Sequence, residues 1–166
     1  PLAPLLRGLP HSWRKVIGKT AYHPTLQNVW AKLTGAMSVL VVHVVALWLW
    51  HLPALYSAAL ADKGIHILEH ASFFITAALY WWMILNSNTL GGRVLSVFIV
   101  MMASGLLGAL MTFATTPWYA SHTPFVGAWG MTPLEDQQMA GLFMWIPAGI
   151  LYTAVAAALL GALFLQ

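Results

Sequence analysis

Four long apolar stretches dominate this chain and dictate the solvent it can fold in. They run from about Leu33 to Leu52, Ile65 to Leu85, Val94 to Thr115 and Gln138 to Leu165. A run of about 18 or more apolar residues is long enough, as a helix, to cross the hydrocarbon core of a bilayer. Only 7% of the 166 residues are charged and 60% are hydrophobic, whereas a soluble domain carries about 25% charged residues. Too little polar surface is available to keep such a chain in water. The expected fold is an all-α membrane protein, with four transmembrane helices in a bundle spanning 33–166. Pro53 is expected to close or kink the first span, because it lacks an N–H and clashes with the preceding turn. Pro147 falls inside the fourth, where membrane helices tolerate it.

Residues 1–32 have another character. Arg7, Arg14, Lys15, Lys19 and Lys32 are mixed there with Pro and Trp, which predicts a basic cytoplasmic or interfacial arm. Arg93 lies in the 86–93 loop, and the 116–135 loop has no Lys or Arg. The positive-inside rule then places the N-terminus and the 86–93 loop in the cytoplasm, with the 53–64 and 116–135 loops outside. All four acidic residues, Asp62, Glu69, Glu135 and Asp136, fall on the outward side. The excess of basic groups is therefore a signal of orientation rather than of nucleic-acid binding.

The sequence has no cysteine, so disulfides and thiolate metal sites are excluded. Seven histidines and eight methionines remain as metal ligands besides the carboxylates. The stretch "HLPALYSAALADKGIHILEH", His51 to His70, gathers three of those histidines and Glu69 between two apolar spans. His66 and His70 are spaced i, i+4, which puts both imidazoles on one helix face about 6 Å apart along the axis. With His51 at the outer end of the first span, the three are expected at one membrane level. They make a metal-site candidate, with Asp136 or Glu69 as auxiliary ligands; the plain alternative is hydrogen bonding at the water interface. "HILEH" also fits the inverted zinc-protease pattern H-x-x-E-H, but no soluble catalytic domain accompanies it.

His43 sits near the middle of the first span, about 12 Å inward from His51. Ionisable groups at that depth are scarce and usually functional. It is a candidate cofactor-binding residue, as a haem ligand or a deeper metal site, a proton-relay residue, or a neutral imidazole bonded across helices. In "MTPLEDQQMAGLFMW" (131–145), Thr132, Pro133 and Glu135 have the spacing of a capping box with Pro at the first helical position. Asp136 shares a predicted face with Ala140, Phe143 and Pro147, and Met139 and Met144 lie near it. Ser104 and Gly108, with Gly105 and Ala109, give small-residue spacing suited to close helix packing. Trp118, Tyr119, Phe125 and Trp129 in the outward loop predict an interfacial aromatic belt or a docking surface.

Five segments together resemble the CtaG family of bacterial cytochrome c oxidase assembly factors. They are "PLAPLLRGLP" (1–10), "LWLWHLPALYSAAL" (47–60), "HILEHASFF" with the following "WW" (66–82), "LLGALMTFA" (106–114) and "WGMTPLEDQQMAGLFMWIP" (129–147). They cover most of the chain, in the family's order. The resemblance implies a non-enzymatic, multi-pass protein of the bacterial cytoplasmic (inner) membrane. Its partners would be cytochrome c oxidase subunits or another respiratory membrane complex, and its task copper binding or delivery at the outer face. The family's further N-terminal helices, with a His-rich stretch, would precede Pro1. Two other functions stay open: a metal-free accessory subunit of a respiratory complex, and a b-type haem protein using His43.

Overall fold

A computed structural model describes residues 35–87, 89–119 and 126–165. The basic arm, His122 and Phe125 lie outside them. The described residues form five α-helices and no strand: α1 (Ala36–Trp50), α2 (Pro53–Ala61), α3 (Lys63–Asn86), α4 (Leu90–Thr112) and α5 (Pro133–Phe164). One 3-10 turn, Gly127–Trp129, precedes α5.

Local chemistry explains where the helices start and stop. Pro53 is the first residue of α2 and holds Leu52 extended (φ −66°, ψ 133°), so α1 cannot continue into α2. The two helices bend by 73° across this break. Asp62 then caps α3 by accepting the Ile65 N–H at 2.9 Å. At α5 the capping box forms as its spacing predicts. The Thr132 N–H donates to Glu135 Oε2 at 2.8 Å, and the Glu135 N–H donates to Thr132 Oγ1 at 3.3 Å. This cap starts α5 at Pro133, ahead of the apolar run that begins at Gln138, and the helix continues unbroken through Pro147.

By length and composition, α3, α4 and most of α5 (Pro133–Ala162) are each able to cross a membrane; counting the bent α1–α2 pair as one span makes four. The bundle packs as two principal pairs, α4 on α5 and α1 on α3, joined by contacts between α1 and α4. Val39, Leu40, Tyr80, Met83, Ile84, Val97 and Val100 form its buried core. Tyr152 of α5 closes this core by stacking on Trp81 of α3, with ring centroids 6.1 Å apart.

The α4–α5 seam is set by glycines. A Cβ on Gly141 would stand 2.7 Å from the Gly108 carbonyl oxygen, and one on Gly108 would stand 2.8 Å from the Trp145 Cβ. Only glycine permits backbones this close, which is the role that small-residue spacing has in membrane bundles.

Candidate functional site

Two groups of polar side chains emerge, and they lie in different surroundings. The first is on the opening turns of α3. His66 and His70 have ring centroids 4.5 Å apart. One ligand atom each from His66, Glu69 and His70 falls within 4.8 Å of the others. Both histidines are exposed and Glu69 is half-buried. Two donors on one ion with bonds of about 2.0–2.1 Å cannot be more than about 4.2 Å apart. A small rotamer adjustment would therefore let these three groups converge on one cation.

His51 lies outside this group. The Trp50 indole N–H donates to Ser72 Oγ at 2.6 Å, and the His51 ring packs 6.1 Å from that of Phe73. These contacts set the register of α1 against α3. His70 is three residues and His66 seven residues from Phe73, about 4.5 and 10 Å further along the α3 axis. The three histidines expected at one level are thus spread over several levels. The cause is the break at Pro53: α1 ends at Trp50 while α3 extends past it, beside α2.

His51 instead joins the second group, which lines a cavity of about 510 Å³ between the helices. His43 and Tyr56 line it too, as do Met111 of α4 and Asp136 and Met144 of α5. His43 and His51 share this space even though they stand about 80° apart on an ideal helical wheel. On α5 the lining row is Asp136, Ala140, Met144 and Ala148, whereas Phe143 (70% exposed) and Met139 (44% exposed) point away. The predicted face of Asp136 therefore turns toward the i+4 series rather than toward Phe143.

Both cavity histidines are held by one ring nitrogen. His51 Nδ1 lies 2.6 Å from the Leu47 carbonyl oxygen. A carbonyl only accepts, so Nδ1 carries the hydrogen and the Nε2 lone pair remains available. His43 Nδ1 is hydrogen-bonded to Thr76 Oγ1 at 3.1 Å, and that hydroxyl also lies 3.3 Å from the Phe73 carbonyl oxygen. The His43 ring also stacks on Tyr80, centroids 5.2 Å apart. A histidine whose Nδ1–H is tied to a carbonyl oxygen, as in His51, has a fixed tautomer and a fixed ring plane, with Nε2 left as its ligand atom.

The end of the cavity near His51 is built partly by residues that sequence reasoning passed over. Gln137, 3% exposed, accepts the Trp118 N–H through Oε1 at 2.6 Å and donates through Nε2 to the Met111 carbonyl at 3.5 Å. Gln138 donates to the Ala114 carbonyl at 3.0 Å. The two amides tie the end of α4 and the loop after it to the second turn of α5. The polar run "EDQQ" entering an apolar helix is the signal that marks them. Tyr119, grouped with the aromatic belt by sequence, is buried: its hydroxyl donates to the His51 carbonyl at 2.8 Å and its ring packs 4.3 Å from Tyr56. Burial, and then the neighbouring Tyr56 phenol, push the Tyr119 hydroxyl up to about 12. Trp129, by contrast, is 80% exposed.

No curated protein and no solved structure matches this chain. The family described as cytochrome c oxidase caa3 assembly factor (Caa3_CtaG) matches it over residues 1–165, and the chain belongs to that family of cytochrome c oxidase assembly factors.

Proposed function

We propose that this protein serves oxidase maturation by binding copper at the outer face of the bacterial inner membrane, without catalysing a reaction. The observation that carries this reading is the convergence of His66, Glu69 and His70 within 4.8 Å on an exposed face of α3. Two imidazoles and a carboxylate suit a borderline cation such as Cu(II), and an exposed site with few protein ligands suits a cargo that must leave again. His51 and Asp136 are auxiliary groups at the neighbouring cavity, and His43 is the deeper one. The basic N-terminal arm is cytoplasmic in this reading, and the oxidase or a related respiratory complex is the partner.

The test is elemental analysis of purified protein loaded with Cu(II). His66→Ala/His70→Ala should lose the copper that wild type retains. These side chains are exposed, so the substitutions leave the packed core intact. Unchanged copper stoichiometry in the double variant would refute the site.

A second reading, a metal-free accessory subunit, draws on the outer face of α5. Phe143 and Ile150 are 70% and 67% exposed there, a surface for lipid or for a partner helix. Metal-free protein that co-purifies stoichiometrically with an oxidase would favour it. An optical spectrum without a Soret band would remove the haem alternative.

A further inference from the structure

The cavity between the helices has two unlike ends, one at Asp136 and one at Tyr152. We infer that it binds a neutral, lipid-soluble quinone, with the ring held at the Tyr152 end and the tail laid along α5. The inference is independent of the exposed cluster on α3.

The shape comes from α5. Asp136, Ala140, Met144, Ala148 and Tyr152 all line the cavity and follow one another at i, i+4. Sixteen residues of helix are about 24 Å long, so a volume of about 510 Å³ spread along them makes a slot instead of a round pocket. The slot lies in the seam between the α4–α5 and α1–α3 pairs, and Ala140 on its row is exposed. An apolar tail can enter there from the bilayer. Mostly apolar cavities of this size with a few convergent polar groups, set between the helices of a bundle, are typical sites for organic ligands.

The Tyr152 end is aromatic and lacks a hydrogen-bond acceptor. The Tyr80 ring stacks on His43 with centroids 5.2 Å apart and planes 16° apart. Trp81 meets Tyr80 edge-on at 5.5 Å and stacks on Tyr152. Tyr80 is 0% exposed, and among the described residues its hydroxyl is the one buried side-chain polar atom without a hydrogen-bond partner. Val100 and Tyr152 pack in the same cluster, and Ala77 is one turn before Tyr80 on α3. With His43, these residues line this end of the cavity. His43 commits Nδ1 to Thr76, so Nε2 is the nitrogen left to a ligand. A buried hydroxyl without a partner is costly, and it marks the place of a missing acceptor.

The lining selects the ligand. It holds no Lys or Arg, and its one carboxylate, Asp136, is at the far end. A fatty-acid or phosphate head at the Tyr152 end would therefore be a buried charge without a counter-ion. A flat ring packs against aromatic faces, and a carbonyl oxygen accepts from a phenol. A quinone joins these two properties to an apolar tail. Water would satisfy the hydroxyl but would not fill an apolar slot.

The experiment uses the full chain in lipid nanodiscs titrated with decylubiquinone labelled with 13C at its ring carbonyls. Infrared difference spectra against empty nanodiscs read the carbonyl stretch. Wild type should show a band moved to lower frequency, saturating at one quinone per chain, and dioleoylglycerol should not displace it. Tyr80→Phe keeps the packed ring and should melt no lower than wild type. It should remove the shifted band and weaken binding about tenfold. Ala148→Leu narrows the slot and should weaken binding while the remaining bound quinone keeps its shifted band. His66→Ala/His70→Ala should bind as wild type does. Absence of a saturable band in wild type would overturn the assignment, as would an unshifted carbonyl, which would leave only water at Tyr80. A shifted band of unchanged intensity and affinity in Tyr80→Phe, displacement by dioleoylglycerol, or loss of binding in His66→Ala/His70→Ala would overturn it too.

Discussion

Replacing Gly141 by alanine adds a single methyl at the tightest point between α4 and α5. That carbon would lie 2.6 Å from Thr112 Oγ1, 2.7 Å from the Gly108 carbonyl oxygen and 2.8 Å from the Thr112 backbone nitrogen. Thr112 could turn its hydroxyl aside, giving up its 2.8 Å bond to the Gly108 carbonyl. The two backbone atoms cannot move without the helix. Van der Waals contact for carbon begins near 3.4 Å, so the helices must separate by about 0.7 Å there. Overpacking of this kind costs about 1–3 kcal/mol. Gly108→Ala meets the Trp145 Cβ at 2.8 Å and the Gly141 carbonyl at 3.0 Å, and should cost a similar amount. Gly105→Ala meets only the Trp145 ring, at 3.6 Å, and should be near neutral. Gly161→Ala meets nothing within 4 Å. It should stabilise slightly, since alanine exceeds glycine in helix propensity by up to about 1 kcal/mol. Denaturation of the four variants in mixed detergent micelles ranks them directly. If Gly141→Ala unfolds at the same midpoint as Gly161→Ala, the close approach of α4 and α5 is refuted.

Three other outcomes follow from the same contacts. Thr132→Ala removes one half of the α5 capping box and should cost about 1 kcal/mol, with Thr132→Ser restoring most of it; equal melting of wild type and Thr132→Ala would contradict the cap. Tyr119→Phe keeps the ring against Tyr56 but loses the bond to the His51 carbonyl, worth about 0.5–1.5 kcal/mol. In an alkaline titration followed at the phenolate band, the wild-type minus Tyr119→Phe difference should rise near pH 12, and a rise at the ordinary tyrosine range would show the phenol to be solvated. Pro53→Ala restores a backbone N–H and frees Leu52 to become helical, so spin labels placed on α1 and α2 should move apart as the 73° bend opens; an unchanged distance would assign the bend to packing instead of to proline.

Much of the architecture is legible in the residues because it depends on neighbours in sequence. The apolar stretches announce membrane helices, Pro53 the break, and Thr132–Glu135 the start of α5. The Ser104–Gly108 row reveals that α4 packs closely, but not that Gly141 is the residue facing it, because that pairing joins positions 33 residues apart. The family was also recognisable from five separated segments, and it matches over residues 1–165.

The histidines show where such reading ends. Spacing alone determined that His66 and His70 share a face, since i, i+4 geometry is a property of one helix. Which residues His51 accompanies depends on how α1 slides against α3 and where α1 stops. The Trp50–Ser72 and His51–Phe73 contacts decide it, and they put His51 into the cavity with His43 and Asp136 instead of beside His66. Local periodicity fixes a side chain's direction around its own helix, but only packing between helices fixes its height relative to a neighbour. That height separates one exposed cluster from one cavity between the helices.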